Sequence, residues 1–130
     1  YIDDLHYNLA VRLLNDRFGI QSRGGCSCAG TYGHYLLHVT RAHSKSITDQ
    51  INRGNQTEKP GWVRVSLHPT TTDDEARRLV AAIADLAAHH RAWAADYTYQ
   101  PATNEFTHRQ DTGALGARVE KWFGGFPSKP

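Results

Sequence analysis

Apolar residues recur with a helical period at the start of the chain. Leu5, Leu9 and Leu13 fall at i, i+4 and i+8, and Ala10, Leu14 and Phe18 form a neighbouring row. The pattern predicts a helix capped by Asp3 or Asp4 and running to about Phe18, with Gly19 as its stop signal. "GIQSRGG" then reads as a short strand ending in a glycine turn. "CAGTYGHYLLHV" reads as a second, shorter helix. "SKSITDQINRG" reads as a third, with Ser44 as its cap and Gly54 as its exit.

The period changes from helical to alternating in "GWVRVSLHP". Val63, Val65 and Leu67 take one face and Trp62, Arg64 and Ser66 the other, so this is a strand, ended by Pro69. "TDDEARRLVAAIADLAAHHRAW" returns to the helical period. Thr72 and Glu75 form a capping box, and Leu79, Val80, Ile83, Leu86 and Ala87 are the expected buried stripe. The order helix, strand, two helices, strand, helix predicts an α/β (α+β) two-layer sandwich. Its sheet is small and mainly antiparallel, with helices packed on one face. Residues 1–93 make up this unit, and residues 94–130 form an extension packing on the same domain. In the extension "DYTYQ" reads as a strand and "GALGARVEKWFGGF" as a helix ending at Gly124. Trp122, Phe123 and Phe126 are expected to pack back onto the body.

Composition narrows the function classes. The chain has 130 residues, 39% of them hydrophobic, which fits one globular domain with a modest core. A net charge of +2 is too small to predict a nucleic-acid or membrane partner, although eight histidines would raise it in mild acid. No apolar run has the length of a membrane span. Two cysteines do not make a disulfide framework, so a reducing, cytoplasmic setting is expected. The absence of methionine is read as the mark of a chain processed or excised from a larger protein.

The candidate chemistry centres on "RGGCSCAG". Cys26 and Cys28, with His34 and His38, give C-x-C-x5-H-x3-H, a set of zinc-type ligands with a tighter first spacing than usual. A disulfide between the two cysteines would be strained. A third reading is a nucleophile. Arg23, a glycine loop and a helix start together favour a thiolate, and Cys28 lies nearer the helix than Cys26. The bland reading is a pair of small buried thiols. Arg64, mid-strand, is either a solvated arginine on an open sheet face or a rigidly held fork for a carboxylate. Arg23, at the end of the other strand, is a similar case. Arg77–Arg78 and His89–His90 read as a solvated face and helix-end residues.

"FGIQSRGGCSCAG" followed by "WVRVSLHPTTTDDEARRLVAAI" resembles the C-terminal small domain of the class V aminotransferases. The resemblance is to the cysteine desulfurase and selenocysteine lyase group, pyridoxal-phosphate enzymes of fold type I. It covers about Leu5 to His90 and leaves the chain after Trp93 unmatched. It implies that Cys28 stands at the position of the desulfurase nucleophile, which holds substrate sulfur as a persulfide. It implies that Arg64 binds the substrate's α-carboxylate and that Arg23 lies near the mouth of the active site. Cys26 stands where the desulfurases often have another residue, frequently histidine. The cofactor, pyridoxal 5'-phosphate, would belong to an N-terminal domain of the parent, bound to a lysine. None of Lys45, Lys59, Lys121 and Lys129 lies in the family's lysine motif, so no cofactor is expected on this piece, and it would not be active alone. The implied partners are that N-terminal domain, an amino-acid substrate and a second copy of the parent. The competing reading is a stand-alone zinc-binding or protein-interaction module using Cys26, Cys28, His34 and His38.

Overall fold

A computed structural model describes residues 2–26 and 30–123. Helix α1 spans Tyr7–Phe18. It starts three residues later than an Asp3 cap predicts and two later than an Asp4 cap. The cap is His6, whose Nδ1 accepts the Asn8 N–H at 3.1 Å. Asp4 lies outside the helix, with φ at 60°, and its carboxylate pairs with Arg91 at 3.0 Å. The exit is as expected. Gly19 adopts the left-handed conformation at φ 66°, and the Ile20 N–H reaches back to the Leu14 carbonyl at 3.0 Å.

Strand β1 (Arg23–Gly25) pairs antiparallel with β2 (Trp62–Arg64), in the register Arg23↔Arg64, Gly24↔Val63 and Gly25↔Trp62. Between them lie α2 (Gly30–Leu36) and α3 (Arg41–Asn52). Thr40 caps α3, its Oγ1 accepting the His43 N–H at 3.2 Å, so this helix begins before the expected Ser44. β2 is shorter than "GWVRVSLHP" predicts because its partner supplies only three residues, and Leu67 is exposed.

Helix α4 (Asp73–Ala94) carries the predicted capping box. Glu75 Oε2 accepts the Thr72 N–H at 2.8 Å, and Thr72 Oγ1 accepts the Glu75 N–H at 3.3 Å. The Thr72 N–H and the Thr72 hydroxyl, which donates to Glu75 Oε2 at 2.9 Å, hold the Glu75 carboxyl below its usual value. Its buried side is Ala82, Leu86 and His90; of the predicted stripe Leu86 is buried, Leu79 is half-buried, and Val80, Ile83 and Ala87 are exposed. Val80 and Ile83 are exposed, because α1 meets α4 along the small Ala82, where two helices approach closely. His90 was expected at the surface and is buried. Its Nδ1 lies 3.2 Å from the Ala87 carbonyl.

The extension adds β3 (Tyr97–Gln100), β4 (Glu105–His108) and α5 (Ala114–Phe123). β3 and β4 form an antiparallel hairpin that packs on α1. Trp122 on α5 is exposed rather than packed back on the body. Gly124 and Phe126 lie outside the described residues. The fold is therefore mixed, with helices and antiparallel strands. The one expected sheet is replaced by two separate two-stranded ribbons. The core joins Leu9, Ala10, Leu13 and Leu14 of α1 to Ala82 and Leu86 of α4 and to Tyr97. Leu13 and Leu14 are fully buried, each worth about 2 kcal/mol in apolar burial.

Candidate functional site

Gly24 of "RGG" is required by packing, and Gly25 by its backbone, at φ 126°. A Cβ on Gly24 would stand 2.8 Å from the Asn8 Oδ1 and from the Tyr7 ring. A Cβ on Gly61 would stand 2.7 Å from Tyr7 and 3.0 Å from the Gly25 Cα. The ribbon therefore lies against the first turn of α1 at a distance only glycine permits. Alternation then sends Gly24 and Val63 toward α1, and Arg23 and Arg64 to the opposite face.

Arg23 and Arg64 are direct cross-strand partners. Such partners share a face, with Cβ atoms about 5 Å apart, and two like charges there repel. Both residues are exposed. Among the described residues neither guanidinium pairs with a carboxylate; the arginine ion pairs belong to Arg12, Arg17, Arg77 and Arg91. Two planar forks held on adjacent rigid strands without a counter-charge suit a bidentate anion.

Beside this pair lies a cleft of about 610 Å³ between β1, α1 and the turn of the β3–β4 hairpin. Arg23, Cys26, Lys59 and Tyr7 line it from the body, and Asn104 and Glu105 line it from the hairpin. Arg64 lines none of the clefts found beside Cys26, so within the pair it is Arg23 that reaches this space. Cys26 is a free, half-buried thiol. It also lines a smaller, apolar cavity of about 160 Å³ with His34, Trp62 and Lys59. Gly33 of α2 abuts the Trp62 ring there, where an added Cβ would come within 2.8 Å.

One buried amide helps to fix the hairpin to the body. Asn104 takes the left-handed conformation at φ 59°, which closes the turn. Its Nδ2 donates to the Tyr7 hydroxyl at 2.7 Å, and its Oδ1 accepts from the Tyr99 hydroxyl at 2.9 Å. Its carbonyl accepts from the Asn8 side chain. Burial raises the Tyr7 phenol above its usual value. The bond from Asn104 opposes that shift, while nearby Tyr99 and Cys26 add to it. His6 stacks on Tyr7 with ring centroids 4.5 Å apart, and burial lowers the imidazole below its usual value.

Of the predicted site residues, the fold brings Arg23, Arg64 and Cys26 to one ribbon and its edge. Cys28 lies outside the described residues. His34 lines the cavity behind Cys26, whereas His38 lines a different cavity with His6, His43 and Glu58. Among the described residues no three His, Cys, Asp or Glu side chains come together as a metal site. Of the described lysines, Lys45 is paired with Asp49 at 3.0 Å, Lys121 sits on exposed α5, and Lys59 lines the cleft. Sequence reasoning missed Lys59, Tyr7, Asn104 and Glu105. The "PATNEF" stretch offers a turn signal, but nothing local ties it to the glycine loop.

A comparison with protein-family models finds no match, and the same holds for curated proteins and for solved structures. The functional reading therefore stands on the residues themselves. No helix of the described residues is long and apolar enough to cross a membrane.

Proposed function

We propose that the chain acts as the small domain of a pyridoxal-phosphate enzyme of the class V aminotransferase kind, close to the cysteine desulfurases. In this reading Arg23 and Arg64 receive the α-carboxylate of an amino-acid substrate, and the loop carrying Cys26 and Cys28 stands beside the reacting atoms. The observation that carries it is the register Arg23↔Arg64, a cross-strand arginine pair with no carboxylate partner among the described residues, of which Arg23 lines a cleft that Cys26 also lines. A carboxylate would relieve the repulsion and satisfy both forks.

One surface feature supports a larger parent. On α2, directly after the cysteine loop, Tyr32, Tyr35 and Leu36 share a face by their spacing and are 60%, 81% and 50% exposed. A cofactor-bearing domain laid over the loop would cover them, and the parent would be a cytoplasmic homodimer. The cofactor itself would be held by that domain. The zinc-module alternative has no three-ligand cluster behind it among the described residues.

The test is an absorption spectrum of the full gene product before and after addition of L-cysteine. A bound-aldehyde band that shifts with cysteine supports the reading. A colourless protein that gains no band when supplied with pyridoxal 5'-phosphate removes it. With a coloured protein in hand, Cys28→Ser should abolish sulfur release. Retained release would take away the nucleophile role of Cys28.

A further inference from the structure

Two patterns in the sequence call for cover that the described residues do not supply, and both open on one groove. The alternation of β2 continues through Val65 and Leu67, but only Trp62–Arg64 is paired, and only on the side of β1. Among the described residues no backbone hydrogen bond reaches the other edge of β2 or the unpaired residues 65–67. Leu67 is 64% exposed. On α4, Val80, Ile83 and Ala87 share a face by their spacing, and all three are exposed, Val80 at 67%. Between β2 and α4 lies a groove of about 340 Å³. Val63 and Val65 line it from β2, Ile83 and Leu86 from α4, and Ala10 and Leu14 from α1. The side chains lining it are all aliphatic or aromatic. β1 lines the cleft beside Cys26 and not this groove, so the groove lies on the free side of β2.

We infer that an extended apolar segment of the parent, the stretch leading into Ile2, lies in this groove as a third strand beside β2. A free strand edge and an apolar wall together define such a guest. Main-chain hydrogen bonds hold it, and every second side chain enters the groove. It stands about 4.8 Å from β2, on the α4 side. Both open patterns are then satisfied: the alternation of β2 gains a second partner, and the predicted stripe of α4 gains a cover. A two-stranded ribbon is marginal alone, and a third strand relieves that too. The occupant is fixed by the path of the chain. Ile2 and Leu5 line the groove, so a residue joined to Ile2 on its N-terminal side starts from within it. A second copy fits the groove less well. Its β2 would arrive with its own α1 packed beneath, and packed helices need about 9 Å between axes, where α4 already stands. The inference rests on the proposed reading for one thing, a parent that continues before Tyr1.

The test is amide hydrogen exchange on the full gene product, read by mass spectrometry of peptides covering residues 62–67. These residues should be protected. Serine in place of the apolar residues among the ten that precede Tyr1 should speed their exchange about tenfold, with exchange in residues 9–14 unchanged. If the serine variant loses the protection of residues 9–14 as well, Ile83→Glu, at an exposed position, decides with the same readout. Protection of 62–67 that survives these replacements belongs to another occupant, a second copy or a separate peptide, and overturns the inference. Fast exchange at 62–67 in the unaltered product overturns it as well. The absorption spectrum separates this claim from the reading it rests on. A coloured product with fast exchange at 62–67 keeps the cofactor and loses the strand. A colourless product in which serine replacement releases 62–67 keeps the strand and loses the cofactor. A gene that encodes nothing before Tyr1 removes both.

Discussion

Helices α1 and α2 are joined to the same short ribbon and are held in opposite ways. α1 is contacted by α4, by β1 and β2 and by β4, and buries Leu13 completely. α2 meets the ribbon through Gly33 against Trp62 and leaves Tyr35 81% exposed. The difference separates scaffold from working surface. Residues that hold the fold lie on the α1 side of the ribbon, and Arg23, Arg64 and Cys26 lie along the ribbon and at its edge. The cleft runs between that edge, α1 and the hairpin turn.

Truncation is the strongest way to break this contrast. Leu13→Ala should cost about 3 kcal/mol in chemical denaturation, through lost burial and a residual cavity. Leu36→Ala on α2 should cost less than about 0.5 kcal/mol. Comparable losses at the two sites would mean that α2 is as firmly packed as α1. Asn104→Ala should come next, at about 2 kcal/mol. It removes the side-chain bonds to Tyr7 and Tyr99 and puts alanine at a positive φ. Amide exchange should then rise in the hairpin before it rises in α4. Thr72→Ala should cost about 1 kcal/mol, the usual value of a lost N-cap, read in the same denaturation experiment.

The smallest effect is the dependence on pH through His6. Folding lowers its pKa below 6.5, so the neutral ring is favoured in the native state. Protonation would also remove the lone pair that caps α1. The contribution of His6 to stability is therefore complete above pH 6.5 and is lost as pH falls through the lowered native value. His6→Asn, which keeps a capping acceptor that does not titrate, should flatten this part of the stability profile. An unchanged profile would show that the cap does not depend on the neutral imidazole.

Local signals in the sequence carried the parts of the fold that local chemistry decides. The Thr72–Glu75 box, the Gly19 exit and the helical period of Leu9 and Leu13 all appear as expected. The buried side of α4 was legible only at Leu86, because alanine occupies most of its turns and only the landing place of α1 chooses Ala82 over Val80. β4 was missed because Glu105–His108 offers a single large apolar residue, Phe106, too little for a strand period. The arginine pair was half legible. Each residue could be placed on a strand, but their register is a tertiary fact. The cleft was less legible still, since its far wall comes from Asn104 and Glu105, far along the chain from Arg23.

The central claim is that Arg23 and Arg64 form a carboxylate site. The direct measurement is thermal stability of the chain, of Arg23→Gln and of Arg64→Gln, with and without propionate. In its absence each single replacement should stabilise by a few tenths of a kcal/mol, because it relieves the cross-strand repulsion. Saturating propionate should raise the melting temperature of the unaltered chain and of neither variant. A propionate shift of equal size in all three proteins, or a loss of stability on removing either arginine without propionate, would contradict the account.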